Sequence, residues 1–170
     1  GIHGLIPLGS TGEFLSMSPE ERRSVAKCVI DTVAGRVPVL IGAGAESTDD
    51  VIDNVRMAEE LGADGTMIIP PFYSTPTWDE LINHFGRIGD AATRPVMIYN
   101  NPATANVDLT PPLVAELSRL PLINYIKEST MDVTRIRDIL EMSEGRMTVF
   151  GGIMGFESFV AGAEGWVAVG

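Results

Sequence analysis

The chain has 170 residues, 45% of them hydrophobic and 21% charged, with a formal net charge of -11 and a pI near 4.5. That composition suits one soluble domain with a real core, and so acidic a field repels phosphate backbones and anionic lipid, which argues against nucleic acid and membrane surfaces as partners. One cysteine, Cys28, and two histidines, His3 and His84, offer no disulfide framework and no cysteine- or histidine-based metal site, which favours a reducing, cytoplasmic setting. No apolar run approaches the roughly 18 residues of a membrane span, and no signal peptide is visible.

In chain order, apolar runs of strand length recur at residues 4–9, 37–42, 66–70, 95–100, 122–127, 147–150 and 166–169. Most are apolar throughout rather than alternating, the pattern of parallel strands buried on both faces. Helix starts fall between them. Ser18-Pro19-Glu20-Glu21 carries a capping-box serine and glutamate with proline at the first helical position. Ser47-Thr48-Asp49-Asp50, Thr77-Trp78-Asp79-Glu80 and Thr110-Pro111 open the next three helices, and Gly35, Gly62 and Gly145 stand where helix C-caps belong. Gly62-Ala63-Asp64-Gly65 and Gly162-Ala163-Glu164-Gly165 are near copies, each leading from a helix into a strand, as if one unit were used repeatedly.

Strict alternation of strand and helix leaves two architectures. A doubly wound sheet usually carries a glycine-rich phosphate loop after its first strand, and Gly9-Ser10-Thr11-Gly12-Glu13 matches neither usual form of that loop. Polar and reactive residues follow nearly every strand instead: Ser10-Thr11, Tyr73, Tyr99-Asn100 and Lys127. A (β/α)8 barrel gathers its site in that way, from the C-terminal ends of many strands. The expected fold is therefore α/β, a (β/α)8 TIM barrel. Residues 1–170 read as a single domain holding strands 2 to 8, an excerpt without the first βα unit and the C-terminal helices.

Lys127 is one of two lysines, and it follows the apolar run Leu122-Ile123-Asn124-Tyr125-Ile126. An ammonium at the mouth of a buried strand is costly unless it is paired or gives up its proton. Two readings follow: a salt-bridged strand-end lysine, or an amine that condenses with a carbonyl. Gly9-Ser10-Thr11-Gly12-Glu13 offers hydroxyls and close backbone approach for a carboxylate, or is simply a polar turn with a helix cap. Tyr99, at the end of Val96-Met97-Ile98, is a proton relay or a hydrogen-bonded core tyrosine.

Together, Gly9-Ser10-Thr11-Gly12-Glu13, Tyr99-Asn100-Asn101-Pro102 and Tyr125-Ile126-Lys127-Glu128-Ser129 resemble the signature segments of the dihydrodipicolinate synthase/N-acetylneuraminate lyase family, in its order and at about its spacing. Pro70-Pro71-Phe72-Tyr73 is similar to a fourth segment, and Gly151-Gly152 to the glycine after the seventh strand. The resemblance implies a (β/α)8 barrel and a class I, Schiff-base lyase acting on pyruvate or a related 2-oxo acid, with no cofactor or metal. It implies that Lys127 condenses with the 2-oxo group, that Gly9, Ser10 and Thr11 hold the carboxylate, and that Tyr99 shuttles protons. Thr11 would link Tyr99 to Tyr73, which in many members reaches in from a neighbouring subunit, so a homo-oligomer, dimer or tetramer, is implied. Gly152 and Val167 would line the imine pocket through backbone carbonyls.

One position departs from the pattern. Synthases of this family carry an arginine two residues after the Tyr-Asn-X-Pro proline, where it grips a carboxylate of the incoming aldehyde; here Thr104 stands there. A threonine supplies one hydroxyl and no charge, so the bidentate clamp is lost. Asn101, Thr104 and Asn106 better suit a polyhydroxy chain, which favours a 2-keto-3-deoxy sugar acid, cleaved or dehydrated, as substrate. The synthase, a sialate lyase and a non-catalytic ligand-binding or scaffold barrel are the alternatives.

Overall fold

A computed structural model describes residues 1–169. Six strands form one parallel sheet in chain order: β1 (Leu40–Gly42), β2 (Gly65–Ile68), β3 (Val96–Asn100), β4 (Ile123–Glu128), β5 (Thr148–Gly151) and β6 (Gly165–Trp166). Parallel neighbours need a crossover, here always helical. The crossovers are α2 (Thr48–Glu60), α3 (Trp78–Ala91), the pair α4 (Pro102–Ala105) and α5 (Pro111–Leu117), α6 (Thr134–Met142) and α7 (Gly155–Val160), while α1 (Pro19–Val33) precedes β1. Among the described residues β1 and β6 do not pair, so the sheet is an open arc of a (β/α)8 barrel.

The expected helix starts are realised. Ser18 and Glu21 form a reciprocal capping box with Pro19 at the first turn, Thr77 and Glu80 form a second, and the Ser47 hydroxyl accepts the Asp50 N–H. Thr110 precedes α5 without a side-chain cap bond. The repeated tetrapeptide also repeats in space: the N–H of Asp64 donates to Val39 and that of Glu164 to Val149, both at 2.9 Å, after a glycine of positive φ.

Three expectations need correction. The first apolar run, 4–9, yields a single bridge between Leu5 and Val39 and no strand. Leu5 N–H donates to Pro38, and Leu40 and Gly42 donate to the carbonyls of Leu5 and Pro7. Pro7 has no N–H to return, and Leu8 then turns to a φ of 62°, so the ladder stops there. The last run, 166–169, contributes only Gly165–Trp166 as strand, followed by one bond from Val167 N–H to the Gly151 carbonyl at 2.8 Å. Between β3 and α5, where only the helix starting at Thr110-Pro111 is expected, the structure adds the short helix α4.

Alternation along the strands sorts side chains into two layers. Ile68, Val96, Ile98, Ile126 and Val149 pack outward against Val55, Phe85, Leu113 and Ile139 of the helices. Ile41, Met67, Met97 and Tyr99 form the inner cluster with Leu8 and Phe14. Burial of each such side chain contributes about 1.5–3 kcal/mol, which fixes the register. A residue at the end of an inner row, two positions beyond Met97 or Tyr125, therefore faces the inside of the arc.

Candidate active site

The parallel register pairs Tyr99 with Lys127 at the C-terminal ends of β3 and β4. Lys127 is 8% exposed, and its Nζ lies 4.2 Å from the centroid of the Tyr99 ring. Among the described residues no carboxylate stands within 4 Å of that amine, so the salt-bridged reading of Lys127 is not realised. A ring face offers partial compensation, about 0.5–2 kcal/mol, and leaves the nitrogen unclaimed by an acid. The Tyr99 hydroxyl accepts a hydrogen bond from Asn101 Nδ2 at 3.0 Å.

One residue further along each strand the side chains point the other way, and there the polar groups satisfy one another. Asn100, fully buried, donates from Nδ2 to Glu128 Oε2 at 2.9 Å and to Asp108 Oδ1 at 3.3 Å, while its Oδ1 accepts the Leu109 N–H. Glu128 accepts the Thr130 N–H through its other oxygen, and Arg135 grips Asp108 with two nitrogens at 2.8 and 3.1 Å. This network ties the turn after Lys127 to the loop after Tyr99. A buried polar pair directly following two motif residues was its sequence signal.

Gly152 closes the third side. A Cβ there would stand 1.8 Å from Ser129 Oγ and 3.0 Å from Lys127 Cε, so only glycine fits beside the lysine stem. The Ser129 hydroxyl is buried with no hydrogen-bond partner among the described residues. It lies across Gly152 from the lysine stem, and an unpartnered buried hydroxyl is unusual, since such groups are normally satisfied. Val167 is half-buried and bonded to the backbone of Gly151, adjacent to Gly152.

The Gly9-Ser10-Thr11 turn crosses the end of β1. A Cβ on Gly42 would fall 2.0 Å from the Leu8 carbonyl oxygen, so the missing side chain lets this turn approach the strand mouth. Gly9 and Ser10 share a small cavity of about 10 Å³ with Tyr99, Phe14 and Met67. Thr11 is exposed and, among the described residues, makes no side-chain hydrogen bond to Tyr99, whose hydroxyl is instead engaged by Asn101. Tyr73 is 89% exposed in this chain. Thr104 is exposed on α4, beside the mouth formed by β3. The arc thus gathers Lys127, Tyr99 and Gly152 tightly and Gly9 and Ser10 nearby, with Thr11, Tyr73 and Thr104 on its solvent side.

The sequence model of the dihydrodipicolinate synthetase family matches residues 1–170. The chain belongs to that family. It is 47% identical over 141 residues to the 4-hydroxy-tetrahydrodipicolinate synthase of Methanosphaerula palustris, covering 83% of this chain and 48% of the relative. It is 45% identical over 136 residues to the synthase of Hyphomonas neptunium, covering 80% and 46%. Among solved structures, the chloride-inhibited dihydrodipicolinate synthase of Acinetobacter baumannii complexed with pyruvate superposes with a TM-score of 0.97 at 33% identity, over 99% of this chain and 59% of that one. An Escherichia coli prophage protein of the same family, in complex with pyruvate, gives 0.94 at 36% identity, over 98% and 58%. The chain spans about half the length of the curated relatives it matches.

Proposed function

We propose that the whole protein is a class I aldolase of this family, forming an imine between Lys127 and pyruvate. The observation that carries this reading is the buried amine of Lys127, free of any carboxylate among the described residues and held against Tyr99. Lys127 Nζ attacks the 2-oxo carbon, and water leaves as the imine forms. Ser10 and Thr11, on the turn that crosses β1, bind the pyruvyl carboxylate, and Gly152 leaves room for the imine. Tyr99 moves the protons that addition and dehydration require, its hydroxyl oriented by Asn101. Tyr73, exposed here, serves the site of a neighbouring copy in a homo-oligomer.

For the second substrate we infer the reaction named in the curated relatives, 4-hydroxy-tetrahydrodipicolinate synthesis, with aspartate semialdehyde as acceptor. Sequence reading alone ranks a 2-keto-3-deoxy sugar acid first, and that reading stays second because of Thr104. Without the arginine a carboxylate loses a charge-assisted interaction of about 1.5–3 kcal/mol, roughly a 10- to 150-fold penalty. The full-length protein assayed with pyruvate and aspartate semialdehyde, and separately with 2-keto-3-deoxy acids, decides between them. Efficient condensation with the semialdehyde supports the synthase. Turnover of the sugar acid alone reverses the ranking, and Thr104→Arg then moves preference toward the charged aldehyde. A site that binds pyruvate but turns over nothing favours the scaffold reading.

A further inference from the structure

The loop that carries Tyr73 is held by a residue outside every motif named above. Glu46 lies between β1 and α2, and its side chain reaches across to the loop after β2. Its Oε2 accepts the N–H groups of Phe72 at 3.0 Å and Tyr73 at 3.1 Å; its Oε1 accepts the N–H of Ser74 at 2.9 Å and the Ser74 hydroxyl at 2.5 Å. Three successive backbone N–H groups thus converge on one carboxylate, the arrangement that elsewhere cradles an anion. Burial pushes the Glu46 carboxyl up, but the bonds from Ser74, Tyr73 and Phe72 together outweigh it and bring the group from 4.5 down to about 2.

Two further ties act on the same loop. Asn106 Nδ2 donates to the Phe72 carbonyl at 3.2 Å, and the Phe72 ring meets Phe14 edge-on at 6.2 Å. The backbone around residue 73 is therefore pinned on three sides, although the Tyr73 side chain is 89% exposed. An exposed tyrosine needs no such anchoring to be soluble. A tyrosine whose hydroxyl must meet a reacting group does, because a misplacement of about 1 Å costs on the order of a hundredfold in rate.

We propose that Glu46 is a positioning residue, which acts on the reaction through Tyr73 by fixing the loop that presents it. The proposal rests on the reading that Tyr73 takes part in catalysis. Glu46→Gln keeps the shape but turns an NH2 group toward N–H donors that need an acceptor.

The test uses the full-length chain in wild-type, Glu46→Gln, Tyr73→Phe and doubly substituted forms, measuring kcat, KM for pyruvate and borohydride-trapped pyruvate on Lys127. Glu46→Gln lowers kcat by about 10- to 100-fold with little change in KM and with the Lys127 adduct retained. In the Tyr73→Phe background it lowers kcat no further, the non-additivity of residues acting as a unit. Should Glu46→Gln fail to fold, Ser74→Ala removes one donor of the four and shows the same pattern at smaller amplitude. An equal fold-loss in both backgrounds, or no loss in wild type, overturns the proposal. Absence of the wild-type adduct is a different failure, since it removes the imine reading first and this proposal with it.

Discussion

The Lys127 amine rests 4.2 Å from the centre of the Tyr99 ring, on adjacent strands whose register makes the two residues direct partners. The proposed nucleophile and the proposed proton carrier are thus placed side by side by one ladder rather than by two loops. Packing on either side of that ladder fixes their separation.

Tyr99→Phe keeps the ring face under the amine and removes only the hydroxyl. We expect kcat to fall by roughly 10²–10⁴-fold, the scale of a general acid–base group, with a smaller change in KM for pyruvate. Steady-state kinetics on the full-length protein check this. A near-normal kcat would reduce Tyr99 to a packing residue.

Gly152→Ala introduces a Cβ where Ser129 Oγ lies 1.8 Å away and Lys127 Cε 3.0 Å away. Either the lysine stem or the serine must move, and kcat/KM should drop by about a hundredfold or more, with roughly 1–3 kcal/mol of lost stability. Adding Ser129→Ala relieves the worst contact and should recover part of the activity. If the single variant traps pyruvate as fast as wild type, the packing argument is wrong.

Much of this arrangement was legible in the residues. The runs ending at Asn100 and Lys127 are mostly apolar and of strand length, so β3 and β4 end within one residue of expectation. Caps built from Ser18-Glu21 and Thr77-Glu80 are local chemistry and appear as read. The run at 4–9 misled because hydrophobicity does not register that Pro7 lacks a donor. The pairing of Tyr99 with Lys127 depends on sheet order, which no local pattern encodes. Glu46 was illegible for the same reason, since its partners lie 26–28 positions away. Ser129 carries no local signal of its own, and its lack of a partner emerges only once Gly152 is packed against it.

His84 gives the fold an acid sensitivity separate from the site. It is 5% exposed, its Nδ1 lies 2.9 Å from Thr48 Oγ1, and its Nε2 has no partner among the described residues. Burial, followed by the Arg87 charge, lowers it from 6.5 to about 4, with Glu46 opposing. The folded chain therefore keeps it neutral while the unfolded chain takes up a proton below 6.5. Stability from this group is level above pH 6.5 and falls as pH drops from 6.5 toward 4, by about 2 kcal/mol at pH 5. Urea midpoints of the full-length protein at pH 7.5 and 5 should differ more for wild type than for His84→Gln. Equal differences would show that His84 is not the group responsible.

The imine itself admits the most direct measurement. Full-length protein is incubated with pyruvate, reduced with borohydride, digested and analysed by mass spectrometry. One pyruvyl adduct on the peptide containing Lys127, absent from Lys127→Ala, is the predicted result. An adduct on Lys27, or no adduct in a folded full-length protein, contradicts it.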